Sequence, residues 1–456
     1  MRRATPAKFS RFALRTAKRL QSLVHSFRYR GGSLHCEGAN LEQVAEQYGT
    51  PLYVYSAGTI LDHYQRLDAA LSEIDHLICY AVKANSNRAI LNLLSRAGAG
   101  FDIVSGGELF RVLAAGGDPK KCTFAGVGKA REEIEYALDQ GVLSFNIESE
   151  EELVFIDRIA RSKDMRAPIA LRVNPDVDAG THRYVSTGRS ENKFGIALDR
   201  VAGVYEQAAQ MPNIAIRGMQ MHIGSQITDA APFAEAIAKV TPLILALKER
   251  FALEFFSVGG GIGIVYESSF ASGSGDWWSE KDRVRATTAL PLTIQDYAAA
   301  ILAPLRAIGL QVLLEPGRLL VGNAGVLLTR VRYIKRTERK KFVIVDAGMN
   351  DLIRPALYQS YHEIVPVREA QDSAREPVDV VGPVCESADF FAQDRPLPEM
   401  KEGDLVALMS AGAYGFVMAS NYNSRPLPAE ALVQGETVSL IRRRQTMQDL
   451  VRDEMS

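Results

Sequence analysis

Three stretches of the chain combine residue types that together fit one organic cofactor. The first is Lys83, in the run Tyr80-Ala81-Val82-Lys83-Ala84-Asn85, where an amine directly follows an apolar segment. An amine placed there loses solvation, which tends to lower its pKa and frees its lone pair to attack a carbonyl carbon. The second is Gly259-Gly260-Gly261-Ile262-Gly263. Consecutive glycines let backbone N–H groups close around a phosphate, while the spacing fits neither GxGxxG nor a GKS/GKT loop, so dinucleotide and nucleoside-triphosphate readings fail. The third is Glu315-Pro316-Gly317-Arg318, a carboxylate that can accept from a protonated pyridine nitrogen beside a guanidinium that can take a carboxylate or phosphate. A lysine for an aldehyde, an acid for a pyridine nitrogen and a cradle for a phosphate are the holds that pyridoxal phosphate requires.

His222, in His222-Ile223-Gly224-Ser225-Gln226, can add a plate that stacks on such a ring, with Ser225 donating to the phosphate. Taken singly, each residue also has a plainer role. Lys83 can snorkel from a buried stem, Glu315 can pair with Arg318, and His222 can be a core histidine. The grouping carries the argument, so the elements that would position these residues matter.

From about residue 57 to 320, short apolar, β-branched runs alternate with amphipathic stretches. The runs are Leu77–Val82, Phe101–Val104, Cys122–Ala125, Leu143–Ile147, Ile169–Val173, Ile216–His222, Phe255–Val258 and Val312–Leu314. Between them lie helical patterns such as Asn87–Ala97, Gly107–Ala115, Arg131–Asp139, Glu151–Arg161, Asp199–Gln210 and Phe233–Arg250. Eight such units predict a (β/α)8 TIM-type barrel over 57–323, in which the carboxyl ends of the strands build the active site. Lys83, Asp102, Gly126, Glu148, Asn174, His222, Gly259 and Glu315 each follow an apolar run, which gathers them at one rim.

After about residue 323 the texture becomes β-rich. Val326–Ile334, Lys341–Val345, Val378–Val381, Leu405–Met409 and Thr437–Ile441 read as strands of a second, mostly β domain, 324–456, joined by residues 27–56 with the strand-like Leu52–Tyr55. Glu267–Ala289, with several Ser and Gly residues and Trp277-Trp278, reads as a long lid-like loop.

Composition excludes several classes. At 456 residues, 47% hydrophobic and 23% charged, the chain is an ordinary globular protein, and a net charge of −1 points to neither nucleic acid nor an anionic membrane. Four scattered cysteines and seven histidines without ligand spacing indicate neither a disulfide framework nor a metal site. No apolar run is long enough to span a bilayer, and no secretory core is present. Residues 1–26 are arginine-rich and acid-free, which fits a disordered basic tail, a start assigned upstream, or an organellar targeting segment on an otherwise cytoplasmic protein.

Further stretches complete a resemblance. Phe101-Asp102-Ile103-Val104-Ser105-Gly106-Gly107-Glu108-Leu109, Glu191-Asn192-Lys193-Phe194-Gly195, Asp346-Ala347-Gly348-Met349-Asn350, Arg354-Pro355-Ala356-Leu357-Tyr358, Gly382-Pro383-Val384-Cys385-Glu386-Ser387-Ala388-Asp389 and Gly412-Ala413-Tyr414-Gly415 occur in order with those above. Over roughly residues 27–450 the chain resembles the fold-type III pyridoxal phosphate decarboxylases, whose architecture is alanine racemase-like, and most closely their diaminopimelate-specific branch. The resemblance implies that Lys83 holds the cofactor, His222 stacks on it, Glu315 holds the ring nitrogen, and Ser225, Gly259, Gly260, Gly261 and Tyr414 surround its phosphate, with Pro316, Gly317 and Arg318 beside it. It also implies that Arg318, Arg354, Tyr358 and Tyr414 contact substrate. Glu386 would recognise the remote amine, and Cys385 would act as the general acid. Both would come from the second subunit of a homodimer. The expected reaction is decarboxylation of meso-2,6-diaminopimelate to L-lysine, the last step of lysine biosynthesis. The alternatives are a decarboxylase of ornithine, arginine or carboxynorspermidine, or a silent homologue that regulates a partner.

Overall fold

The computed structural model describes residues 24–178, 193–278, 292–370 and 374–455. Residues 1–23, Glu191, Asn192 and residues 279–289 of the long loop lie outside them. Eight parallel strands form a closed barrel: β1 (His76–Ala81), β2 (Gly100–Ile103), β3 (Cys122–Phe124), β4 (Ser144–Ile147), β5 (Ala167–Asn174), β6 (Ile214–Met221), β7 (Phe255–Ser257) and β8 (Gln311–Leu314). Closure is made where β8 pairs with β1, Val312 opposite His76, and the ring is continuous where β4 pairs with β5, Phe145 opposite Ile169. Every apolar run predicted as a strand is one, within a few residues at each end.

Strands buried on both faces explain why the runs read as continuous hydrophobic segments rather than alternating ones. Their inward side chains include Cys79, Ala170, Phe255 and Leu313, packed as a small cluster of their own. Gly218 makes room for it, since a Cβ there would meet the Phe255 ring at 2.5 Å. Outward side chains pack against the surrounding helices in one large core. The helices that follow β1, β2 and β4 each start with a side chain that accepts from their own first turn. Asn87 accepts from Ala89 N–H, Ser105 from Glu108 N–H and Ser149 from Glu152 N–H. These caps stop β1, β2 and β4 at one level and turn the chain outward at the rim.

The second domain is a mainly antiparallel sheet in the order 390–398, 375–381, 341–345, 325–336, 52–56, 429–434, 437–442. Leu52–Ser56 is wholly buried between Gly325–Arg336 and Ala429–Gln434, so the segment before the barrel belongs to this sheet. Phe390–Pro398 and Ala429–Gln434 are strands that the sequence pattern does not announce. The first carries Asp394, Pro396 and Pro398 and lies at an edge, where missing N–H groups are tolerated. The second, AEALVQ, has helix-forming composition, and pairing with two neighbours overrides it. Its Glu430 is fully buried and accepts from Tyr55 Oη at 2.7 Å and Asn87 Nδ2 at 2.8 Å, tying sheet to barrel.

Two further links bring the second domain to the barrel mouth. Asn85 Nδ2 donates to the Gly412 carbonyl at 3.1 Å, and Tyr414 N–H donates to the Ala84 carbonyl at 2.8 Å. Tyr414 therefore sits directly beside the segment that carries Lys83. Among the described residues, no helix is long and apolar enough to cross a membrane.

Candidate active site

A cavity of about 350 Å³ lies where the barrel mouth meets the second domain. Lys83, Asp102, Arg172, Gln220, His222, Gly261, Glu315, Gly317 and Arg318 reach it from the strand ends, Ser225 from the loop after β6, and Arg354, Tyr358, Ser360, Tyr414 and Met418 from the second domain. Most of the residues singled out in the sequence are thus brought together. Gly259, Gly260 and Pro316 do not line it, and Cys385 and Glu386 are exposed on the surface, outside the cavity.

Lys83 occupies a single turn of 3-10 helix after β1, and its Nζ donates to Asp102 Oδ2 at 2.6 Å. Its side chain is 41% exposed and lines the cavity. The sequence alone predicts a depressed pKa here, and the structure corrects that. Burial does push the ammonium down, but Asp102, Tyr414 and Glu315 push it up further, and the net shift is upward. The reason is that β2 ends beside β1 with a buried carboxylate that the sequence pattern marks only as a rim position.

Glu315 accepts from Gln220 Nε2 at 2.9 Å and from Ser257 Oγ at 2.7 Å, one donor on each oxygen. It forms no pair with Arg318, so the plainer reading of that motif fails. Burial, then the nearby Asp102 charge, raises its pKa. A cation placed against it would restore the charged form, which is what a protonated ring nitrogen supplies. His222 Nδ1 accepts from Gly260 N–H at 3.1 Å. Burial, followed by Arg172 and Lys83, drives its pKa well down, so the imidazole is a neutral plate suited to stacking.

The glycine run does more than bare its amides. A Cβ at Gly259 would meet the Met221 carbonyl at 2.3 Å, one at Gly260 the Glu315 carbonyl at 2.1 Å, and one at Gly261 the Gly224 carbonyl at 2.4 Å. The loop is therefore pressed against the ends of β6 and β8, which only glycine permits. The Gly259 and Gly260 amides are already engaged, by Ser257 Oγ at 3.3 Å and by His222, and Gly261 is the one of the three that lines the cavity.

Arg318 is buried; its Nη1 donates to Tyr266 Oη and its Nη2 to Ser225 Oγ. Arg354 donates to Ser360 Oγ at 3.2 Å and to His362 Nε2 at 3.4 Å. Neither guanidinium pairs with a carboxylate among the described residues. Arg318 Nε, Asp102 Oδ1 and Gln220 Oε1 are all buried without a hydrogen-bond partner, on three residues of one cavity wall. Buried polar atoms are seldom left so, and three together fit a polar ligand. With the glycine cradle and the Lys83–Glu315 donor set, they fit pyridoxal phosphate.

Comparison with known proteins agrees. The pyridoxal-binding domain of the pyridoxal-dependent decarboxylases matches residues 57–322. The diaminopimelate decarboxylase of Pseudomonas aeruginosa is 49% identical over 428 residues, covering 94% of this chain and 98% of its own. This chain belongs to the diaminopimelate decarboxylase family. The family member from Helicobacter pylori, solved with L-lysine, superimposes with a TM-score of 0.83 at 40% identity, over 91% of this chain and 98% of that one. That from M. jannaschii, also with L-lysine, gives 0.86 at 35% identity, over 95% and 98%. Membership makes the cofactor pyridoxal phosphate and the chain an amino-acid decarboxylase of fold type III.

Asp102, Arg172, Gln220, Ser257, Tyr266 and Ser360 are the contributors that motif reading passes over or gives no task. Strand alternation does point to two of them. Gln220 lies two residues before His222, and Ser257 two before Gly259, hence on the same face as each. The Asp102 contact yields a test. In Asp102→Asn the largest upward influence on Lys83 disappears while burial remains. The pH midpoint for reaction of Lys83 with added pyridoxal phosphate, followed by its visible absorbance, should move to lower pH; an unchanged midpoint would remove Asp102 from this role.

Proposed function

We propose that this chain decarboxylates meso-2,6-diaminopimelate to L-lysine and CO₂. The observation that carries this reading is the division of charge in the cavity. Among the described residues, the acids lining it are Asp102, which accepts from Lys83, and Glu315, while Arg318 and Arg354 meet at the Tyr266 ring with no carboxylate of their own. A substrate ending in a lone remote amine, as ornithine does, would meet cations there. One ending in a carboxylate beside an amine would be held by bidentate charge-assisted hydrogen bonds.

The cofactor supplies an electron sink for the pair released when the carbon–carboxylate bond breaks. The chain supplies the rest. Lys83 would hold the cofactor's aldehyde, with Asp102 accepting from its amine when it is displaced. Glu315, braced by Gln220 and Ser257, would keep the ring nitrogen protonated. His222 would stack on the ring, and Arg318, Arg354 and Tyr358 would hold the substrate's remote end and so orient the other carboxylate for reaction.

Cys385 and Glu386 enter this reading from a second copy of the chain. Their loop is held outward: Asp389 accepts from Met349 N–H and Val384 N–H at 2.6 Å each, Cys385 N–H donates to Asn423 at 3.0 Å, and Tyr422 Oη donates to Glu386. A rigid, exposed loop bearing a thiol and a carboxylate is suited to completing a neighbour's cavity, with Cys385 protonating the substrate carbon and Glu386 meeting the remote amine.

Two assays test this. CO₂ release should be rapid from meso-diaminopimelate and negligible from ornithine, arginine and lysine; preference for any of those three would overturn the substrate assignment and leave the cofactor site standing. Mixing inactive Lys83→Ala and Cys385→Ala proteins and allowing subunits to exchange should restore about a quarter of the wild-type sites, because half the dimers then carry one intact site. No recovery after proven exchange would place Cys385 outside the shared site.

A further inference from the structure

The paired arginines raise a physical problem of their own. Two guanidinium groups at one end of a cavity repel each other, and no carboxylate among the described residues pairs with them. Both lie against one ring, that of Tyr266. Arg318 Cζ is 5.8 Å and Arg354 Cζ 5.3 Å from the centroid of the same Tyr266 ring. Arg318 Nη1 also donates to its hydroxyl. The ring meets His362 edge-on at 5.4 Å and 82°. His362 Nδ1 donates to the Met409 carbonyl at 2.8 Å, which leaves Nε2 free to accept from Arg354. Burial, and then Arg354 itself, holds the His362 pKa down to about 3, so it stays an acceptor at neutral pH.

Tyr266 is itself fixed from both sides along the chain. Before it, Asn323 Nδ2 donates to the Val265 carbonyl at 3.0 Å and Gln226 Nε2 to the Ile264 carbonyl at 2.7 Å. After it, Ser269 Oγ and Phe270 N–H donate to the Glu363 carboxylate at 3.2 and 2.7 Å. The negative face of an aromatic ring attracts a cation, and a desolvated site strengthens the effect. A clamped ring between two cations is therefore a spacer that also lowers the cost of bringing them together.

We propose that Tyr266 is a positioning residue that holds Arg318 and Arg354 at a spacing set by its ring, so that both guanidinium groups grip one substrate carboxylate. The proposal rests on the reading of these arginines as holders of the remote carboxylate. It makes a selective statement. Decarboxylation at the far centre leaves the remote carboxylate in place, so meso-diaminopimelate and L-lysine both carry the group that Tyr266 serves. Cadaverine carries no carboxylate and should be indifferent to it.

The test uses the holoenzyme and the variants Tyr266→Leu and Tyr266→Phe, measuring kcat and KM for meso-diaminopimelate and inhibition constants for L-lysine and cadaverine. Tyr266→Leu should raise KM and the L-lysine constant in parallel by about tenfold or more, leaving the cadaverine constant unchanged and kcat within about threefold. Tyr266→Phe, which keeps the ring and loses the hydroxyl, should recover most of that loss; it also carries the test if the leucine variant does not fold. Parallel losses for cadaverine, or no change in the L-lysine constant, would overturn the proposal. Absence of turnover by the unaltered enzyme would defeat the functional reading as well, whereas turnover by the unaltered enzyme with indistinguishable variants would overturn the role of Tyr266 alone.

Discussion

Closing eight parallel strands into a ring leaves only two faces at which ionisable groups can meet. The interior is filled by side chains such as Cys79, Ala170, Phe255 and Leu313, and the outside is covered by helices. Chemistry must collect where strands end and loops begin, and in parallel strands all carboxyl ends point the same way. That constraint places Lys83, Asp102, His222 and Glu315 within one cavity although they span much of the sequence. The glycine run follows from it too, because loops after adjacent strands must pass within van der Waals contact of each other's carbonyl groups.

The second domain turns this rim into an enclosed site. Leu52–Ser56 is threaded into its sheet before the barrel begins, so the barrel segment starts and ends at the same sheet. Tyr414 and Asn85 then fasten the Gly412–Gly415 loop over the mouth. The resulting cavity holds two like-charged pairs, the acids Asp102 and Glu315 and the arginines Arg318 and Arg354, the latter meeting at the Tyr266 ring. Buried like charges raise each other's free energy, so a cationic ring placed at Glu315 and a carboxylate placed at the arginines would each relieve one pair. In this sense cofactor and substrate complete the electrostatics of the fold.

Much of this was legible in the sequence. The barrel strands were readable because burial on both faces writes continuous apolar runs of strand length, and the gathering of Lys83, His222 and Glu315 in one cavity because each stands at the end of such a run. What could not be read has a physical reason in each case. Ala429–Gln434 is a strand through its neighbours and not through its composition. The Lys83 pKa reverses direction because Asp102, from another strand, lies 2.6 Å away, a contact that no local pattern encodes. Tyr266 escapes notice because a tyrosine shortly after a glycine loop has no distinctive spacing, and its task appears only when Arg318 and Arg354, from separate domains, arrive on one ring.

The central claim is that a single cavity assigns the cofactor to the barrel side and the substrate's remote carboxylate to the paired arginines. A crystal structure of the protein with pyridoxal phosphate and L-lysine tests this most directly. The account predicts the ring nitrogen against Glu315 and the lysine carboxylate within hydrogen-bond distance of both Arg318 and Arg354. A lysine carboxylate bound elsewhere, with the two guanidinium groups left without it, would contradict it.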